Sequence, residues 1–130
     1  MSQASSKLTK VATTMTFDKF WGWLQRHTNC IRRAGTGDSV LFDHDEFHWN
    51  VVADEENTFI LQLAVAKDLV GELIIVPAVV AYVQVEPSEE AEGEWTFECI
   101  AEAEDGRDVV YHFLLSHGYE DEDHEERWSH

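Results

Sequence analysis

The amino-acid sequence predicts an α+β fold in which an N-terminal helix packs on a curved antiparallel sheet of about six strands. Three observations support this fold class. Hydrophobic residues make up 44% of the 130 residues, which suits one domain with a buried core. Apolar residues recur every three or four positions from Phe17 to Ile31, the period of a helix. From Ser39 onward the period changes to two, which is typical of strands.

The sequence divides into three segments, and the central segment is the predicted domain. Residues 1–15 are rich in Ser, Thr and Lys and are expected to form a flexible N-terminal segment. Residues 16–118 are predicted to form the single α+β domain. Residues 119–130 are expected to be an acidic flexible tail, because closely spaced like charges oppose compaction.

The predicted helix extends from Phe17 to Ile31. Thr16 is suited to cap its N-terminus, and Asp18 lies in the first turn, where a negative charge favours the helix dipole. Trp23 is predicted to point away from the apolar side of the helix. Residues 34–38 (Ala-Gly-Thr-Gly-Asp) then turn the chain. The predicted apolar stripe consists of Phe17, Phe20, Trp21, Leu24, Thr28 and Ile31.

The predicted strands are short runs in which apolar residues alternate with other residues. Pro77 interrupts one long apolar run, which forms either two strands or one strand bent at the proline. The predicted strands are Val40–Phe42, Phe47–Val52, Phe59–Val65, Leu73–Val76, Val79–Val85, Trp95–Ala103 and Asp108–Ser116.

The register of the last hairpin is predicted by its turn together with its apolar residues. Residues 104–106 (Glu-Asp-Gly) fit a three-residue loop with Gly in the left-handed position. That loop pairs Cys99 with Tyr111 and gathers alternate residues of both strands on one apolar face. A two-residue loop would set apolar residues opposite charged ones, so the three-residue loop is favoured.

The opposite face of this hairpin carries three large apolar residues among polar ones, namely Ile100, Val110 and Leu114. They need cover from the helix, from another strand layer or from a second subunit. Trp23 is a further apolar residue that the helical pattern places on the polar side, and Trp is enriched at binding hot spots. We therefore expect these four residues to bind a protein partner. The alternative for the hairpin face is a homodimer, and the alternative for Trp23 is a ring that folds back on the sheet edge or is simply exposed.

The charge of the chain is strongly negative and unevenly distributed. There are 26 acidic and 9 basic residues, for a net charge of -17, and the residues after 33 carry -22. This balance excludes ordinary nucleic-acid binding, which needs Lys and Arg against phosphates, and opposes binding to anionic membranes. The acidic turn at Asp54, Glu55 and Glu56 is expected to contact a basic protein partner.

Cysteine usage and targeting signals predict a cytoplasmic protein. Cys30 and Cys99 are too few and too far apart for a disulfide framework or a thiol redox motif, so both are expected to be free buried thiols. Residues 1–15 lack the apolar core of a signal peptide. The apolar run Leu73–Val83 is too short to span a bilayer. No cofactor is expected, since the sequence has no Gly-rich phosphate loop.

One short stretch carries side chains that can ligate a metal ion. Asp43, His44, Asp45 and His48 combine carboxylates with imidazoles, the normal ligands of divalent transition metals. The spacing is weakly specific, because His44 and His48 would share a face on a helix but lie apart along a strand. The alternative interpretation is a polar turn between two strands with a histidine at the sheet edge.

A second constellation pairs Glu98 with His112 across the last two strands. One interpretation is an acid–base or pH-sensitive pair. The other is a surface ion pair between strands, which is commoner and contributes little energy. The second is favoured, because the sequence shows no nucleophile or third orienting group beside the pair.

These observations favour a non-enzymatic acidic interaction protein that binds a basic protein partner, as an inhibitor, an immunity-type protein or a regulatory module. One alternative is a small metal-binding protein or metal-dependent enzyme centred on residues 43–48. Another is a structural accessory subunit whose acidity serves solubility.

Overall fold

The computed structural model describes residues 13–53 and 58–119. These residues form one α-helix, α1 (Phe17–Gln25), and nine β-strands. Two short 3₁₀ turns, Thr28–Cys30 and Pro77–Val79, connect elements. The strands are β1 (Thr13–Met15), β2 (Ile31–Gly35), β3 (Val40–Phe42), β4 (Phe47–Ala53), β5 (Phe59–Val65), β6 (Asp68–Ile75), β7 (Tyr82–Pro87), β8 (Trp95–Ala103) and β9 (Gly106–Leu115).

The strands form two antiparallel sheets, so the prediction of a single sheet of about six strands is wrong. The large sheet has the strand order β1-β7-β8-β9-β2-β3, and the small sheet has the order β4-β5-β6. The predicted combination of an N-terminal helix with antiparallel sheet is confirmed. The run around Pro77 explains the division: the 3₁₀ turn that begins at this proline carries the chain from the small sheet to the large one.

The helix begins where the sequence predicts and ends six residues earlier. The Thr16 hydroxyl accepts a hydrogen bond from the Lys19 backbone N–H at 3.2 Å, which confirms the predicted cap. After the last turn, His27 Nδ1 donates to the Trp23 carbonyl oxygen at 2.7 Å. The same carbonyl accepts a hydrogen bond from the Arg26 backbone N–H at 3.1 Å, and the His27 N–H donates to the Leu24 carbonyl at 2.8 Å. The helix thus ends in i to i+3 bonds, and the residues that follow start a 3₁₀ turn at Thr28 and strand β2 at Ile31.

The ends of the predicted domain lie slightly outside the predicted boundaries. Residues 13–15, expected in the flexible segment, form β1 and pair with β7 of the large sheet, Thr13 opposite Val85. Tyr119, expected in the tail, lies against the helix, with its ring centroid 5.5 Å from that of Trp23. Residues 1–12 and 120–130 of the two predicted terminal segments lie outside the described residues.

The β8–β9 hairpin has the predicted register in its body and a different turn at its tip. Cys99 pairs with Tyr111, as predicted. At the tip, however, Ala103 pairs with Gly106, so the loop has two residues. An irregularity between Cys99 and Ile100 absorbs the extra residue of β9 as a β-bulge. Gly106 has a φ of +145°, which favours glycine at this turn.

One buried cluster contains the inward faces of both sheets and most of α1. The helix contacts both sheets with aromatic rings. The Phe20 ring lies 5.3 Å from Phe97 of the large sheet, and Trp21 stacks on Phe59 of the small sheet at 5.0 Å. The helix thereby fixes the position of the small sheet relative to the large one.

Candidate functional sites

The predicted partner anchors on the helix and the hairpin are largely buried in the domain. Trp23 is 1% exposed, so its predicted orientation toward solvent is wrong. Its ring packs on Phe97 at 5.1 Å and on Tyr119 at 5.5 Å, because the chain after β9 passes along the side of the helix that the sequence pattern leaves open. Ile100 and Leu114 are 6% and 7% exposed.

The face that carries Leu114 obtains its cover from the same chain. Arg33 of β2 pairs with Leu114 in register, and its guanidinium lies 3.3 Å from the carboxylate of Glu90 in the loop between β7 and β8. On the same face, His112 Nε2 donates to the Thr36 carbonyl oxygen at 3.0 Å. A polar loop and a polar turn therefore cover a face for which the sequence predicted a second strand layer or a partner.

The remaining predicted partner contacts have different outcomes. Val110 is half-buried and packs against the core cluster. Asp54, Glu55 and Glu56 lie outside the described residues.

The four predicted metal ligands do not converge. Asp43 Oδ1 accepts a hydrogen bond from the Trp49 indole N–H at 3.0 Å, and its other oxygen lies 3.8 Å from the guanidinium of Arg32. His44 packs near a phenyl ring, Asp45 lies in an exposed turn, and His48 points to the exposed face of β4. Across residues 13–53 and 58–119, no group of three or more His, Cys, Asp or Glu side chains is arranged to hold a metal ion.

The predicted pairing of Glu98 with His112 is confirmed as a register pair of β8 and β9. Partial burial raises the pKa of Glu98, the neighbouring Glu86 carboxylate raises it further, and His112 lowers it. His112 also donates to the Thr36 carbonyl oxygen of the β2–β3 turn. The pair therefore belongs to the polar groups that lie over the outer face of the large sheet.

The outer face of the small sheet carries an exposed apolar row. Val52, Ile60 and Ile74 pair in register across β4, β5 and β6. Val52 is 41% exposed and Ile74 is 55% exposed, while Ile60 between them is half-buried. Contiguous exposed apolar residues on a strand layer are typical of a contact surface. We call these three residues the apolar row.

Polar and acidic residues border the apolar row. The neighbouring register row consists of Asn50, Gln62 and Glu72, and the Glu72 side chain is exposed. In sequence, β4 is followed by Asp54, Glu55 and Glu56, which lie outside the described residues. An apolar row beside polar residues and an exposed carboxylate, in a strongly acidic chain, is the arrangement that a basic partner with an apolar anchor would complement.

A second constellation combines a thiol with imidazole rings. Cys30 Sγ lies 3.1 Å from His117 Nε2. The ring of His27 lies 5.2 Å from that of His117 and stacks on Trp23 at 4.5 Å. We call these four residues the Cys30 cluster.

Backbone hydrogen bonds hold the Cys30 cluster in place. The Cys30 N–H donates to the His27 carbonyl at 2.9 Å, and the Ser116 N–H donates to the Cys30 carbonyl at 2.9 Å. His117 Nδ1 lies 3.0 Å from the Gly118 carbonyl oxygen. Since a carbonyl can only accept, Nδ1 carries a proton, and Nε2 of the neutral ring accepts from the Cys30 thiol.

The two cysteines have different surroundings. Cys99 is buried, as predicted, and burial raises the pKa of its thiol to about 12. Cys30 is free, as predicted, but it is partly exposed and has an imidazole partner, so the prediction that it is buried is wrong. No local pattern could predict this pair, because 87 positions separate the two residues.

Comparison of the chain with protein-family models, curated proteins and solved structures found no match. Within the part of the chain that the structure describes, no helix is long and apolar enough to cross a membrane.

Proposed function

We propose that the protein is a non-enzymatic acidic interaction module, of inhibitor, immunity or regulatory type, that binds a basic protein partner through the outer face of the small sheet. The observation that carries this proposal is the apolar row, in which Val52 and Ile74 are exposed on either side of Ile60, beside a polar register row that includes the exposed Glu72. The apolar row supplies the anchor, and the charge supplies the attraction. Ordinary single exposed hydrophobes need no such explanation, but three neighbours on one sheet face do.

The charge supports a basic partner. Beyond residue 33 the chain carries a net charge of -22. Such a surface accelerates encounter with a cationic protein, and screening at physiological ionic strength limits this attraction to about 8 Å. A second copy of the chain would bring a further -17, so like charges oppose a homodimer through this face.

Another exposed apolar pair fits a basic partner less well. Val40 and Phe42 of β3 are exposed on the large sheet, and Phe42 pairs in register with Arg33. Arg32 is also exposed beside this position. Arg32 and Arg33 lie near the carboxylates of Asp43 and Glu90, so the acidic residues at this position attract a cationic partner less, and this pair provides a matched control.

The test begins with capture of partners by the tagged full-length protein and their identification by mass spectrometry. The purified basic partner is then measured against three proteins by surface plasmon resonance over a salt series. These are the wild type, the double variant Val52→Ser with Ile74→Ser, and the control Val40→Ser with Phe42→Ser. The double variant retains the charge of the wild type and removes the apolar anchor.

We expect the association rate of the wild type to fall at least tenfold between about 50 mM and 300 mM salt. The double variant should dissociate at least tenfold faster than the wild type, since loss of contacts acts mainly on dissociation. The control should dissociate like the wild type. Absence of any specific basic partner, a salt-independent association rate, or equal dissociation of the two double variants would contradict the proposal. A dimer of the wild type that the Val52 and Ile74 changes dissociate would replace it.

A further inference from the structure

The proposed interaction surface leaves the Cys30 cluster unexplained. A thiol, two imidazoles and an indole lie together where α1, the following 3₁₀ turn and the end of β9 meet. A core that needed only packing would be satisfied by an apolar residue in place of His117. Instead, His117 is held through Nδ1 by a backbone carbonyl and presents Nε2 to the sulfur.

This geometry has the parts of an activated thiol. The nucleophile Cys30 and the base His117 lie within hydrogen-bond distance, and a third group, the Gly118 carbonyl, orients the base. A further polar group is available beside it. The Trp23 indole N–H is buried without a hydrogen-bond partner, and its ring lies 5.6 Å from that of His117. A buried donor without a partner is costly unless another group satisfies it.

We propose that Cys30 is a site of reversible thiol modification that forms mixed disulfides with low-molecular-weight anionic disulfides, with His117 as the acceptor of the thiol proton. The Cys30 sulfur attacks one sulfur of the disulfide, a new S–S bond forms, and the original S–S bond breaks. The Cys30 sulfur is oxidised, and the departing sulfur is reduced and leaves as a thiolate. The proton passes from the thiol to His117 Nε2 and then to the leaving thiolate or to water.

Size and charge favour a small anionic disulfide over a protein thiol. Cys30 is only partly exposed and lies against the His117 ring, so access suits a small molecule. The first 33 residues carry six basic residues and one acidic residue, against the acidity of the rest of the chain. Arg26 and Arg32 lie four and two positions from Cys30 and are exposed, and Arg32 has the Asp43 carboxylate at 3.8 Å. Oxidised glutathione combines the required size, charge and disulfide bond.

The experiment treats the folded full-length protein with oxidised glutathione at pH 7 and follows the mass of the Cys30 and Cys99 peptides with time. The variant His117→Gln removes the base and retains a polar side chain. The matched control is His112→Gln, because His112 is also half-buried and hydrogen-bonded to a backbone carbonyl but contacts neither thiol. We expect Cys30 to be modified at least tenfold faster in the wild type and the control than in His117→Gln. Cys99 should remain unmodified in the folded protein.

The pH dependence separates proton acceptance from a packing role. The advantage of the wild type over His117→Gln should narrow as the pH rises from 7 to 9.5, since ordinary thiols ionise without help near pH 8.5. His27 and Tyr119 are the other titratable side chains that the structure places in ring contact with this cluster. Equal rates in the wild type and His117→Gln, or a ratio that does not change with pH, would overturn the assignment.

A further measurement needs no variant and therefore does not depend on the folding of His117→Gln. The same wild-type chain is treated at pH 7 in guanidinium chloride, where both thiols are accessible and the cluster is lost. Native Cys30 should react faster than Cys30 of the unfolded chain, although the native thiol is only partly exposed. A slower native reaction would mean that the fold protects Cys30 rather than activating it, and would overturn the proposal.

Discussion

The centre of the large sheet and the small sheet carry similar apolar residues on their outer faces but differ in how far these residues are covered. At the margins of the large sheet, Phe42 and Val109 are also exposed. On the large sheet, Ile100 and Leu114 are nearly inaccessible to water, with bonded polar groups such as Arg33 and His112 beside them. On the small sheet, Val52 and Ile74 also lie on the outer face, in register with Ile60, and are exposed. Apolar content therefore does not distinguish a covered face from an open one. Whether a loop crosses a sheet face decides whether the apolar residues on that face are buried.

This difference has a simple origin in the connections. The loop between β7 and β8 has seven residues, 88–94, and the β2–β3 turn is rich in polar groups, so both can reach back over the large sheet. The loop between β5 and β6 has only two residues, Ala66 and Lys67. A two-residue loop cannot extend over a sheet face. Among the described residues, this loop therefore gives the outer face of the small sheet no cover.

The largest expected effect comes from the helix, which contacts both sheets. Trp21 and Trp23 are both buried, one stacked on the small sheet and the other on the large sheet. Trp21→Ala and Trp23→Ala should each lower the free energy of unfolding by about 3–5 kcal/mol, the range for emptying an aromatic core site. Chemical denaturation measures both. A loss below about 1 kcal/mol for Trp23→Ala would show that this ring is not part of the core.

A pair of isoleucines tests the comparison directly. Ile100→Ala should cost about 2–5 kcal/mol, because it empties a covered site, whereas Ile74→Ala should cost less than about 1 kcal/mol. The two variants remove the same atoms from the outer faces of the two sheets. Urea unfolding of both, followed by intrinsic fluorescence, gives the difference. Equal losses would mean that the face of the small sheet is covered in solution.

The smallest expected effect concerns the charge of Glu98 on the outer face of the large sheet. Because burial raises the pKa of Glu98 above 4.5, ionisation of this carboxyl opposes folding, and the stability that the protonated form contributes is lost as the pH rises through the raised value. Glu98→Gln should therefore stabilise the protein slightly at pH 7, by about 0.5 kcal/mol or less. The gain should vanish at pH 4 and below. Thermal unfolding at both pH values measures it, and a destabilised variant at pH 7 would indicate that the ion pair with His112 dominates instead.

Local sequence pattern predicted individual elements well. The helix start with its Thr16 cap and the bounds of β3, β5 and β8 follow from capping chemistry and from alternation, which depend on neighbouring residues. The β8–β9 pairing at Cys99 and Tyr111 follows from matching two apolar faces.

The division into two sheets could not be predicted in the same way. Strands of both sheets alternate with the same period, and only the three-dimensional course of the chain assigns them to one layer or the other. The same reason applies to Trp23, whose cover is the chain after β9, and to Cys30, whose partner His117 lies near the other end of the chain. The exposure of the apolar row could not be predicted either, because the cover of a sheet face comes from segments outside its strands.

The β-bulge of β9 places one more residue in this strand than its pairing with β8 requires. The extra residue lies within the strand near Val110, and the loop has two residues. A regular ladder with a three-residue loop would contain the same number of residues between Cys99 and Tyr111. Deleting Val110 would remove the extra residue and leave an uninterrupted ladder above the same two-residue turn. The pairs from Cys99–Tyr111 inward would not move. The hairpin tip can therefore lose one residue without any change in the register of the core, a tolerance to deletion that the short, continuous β4–β5 ladder does not provide.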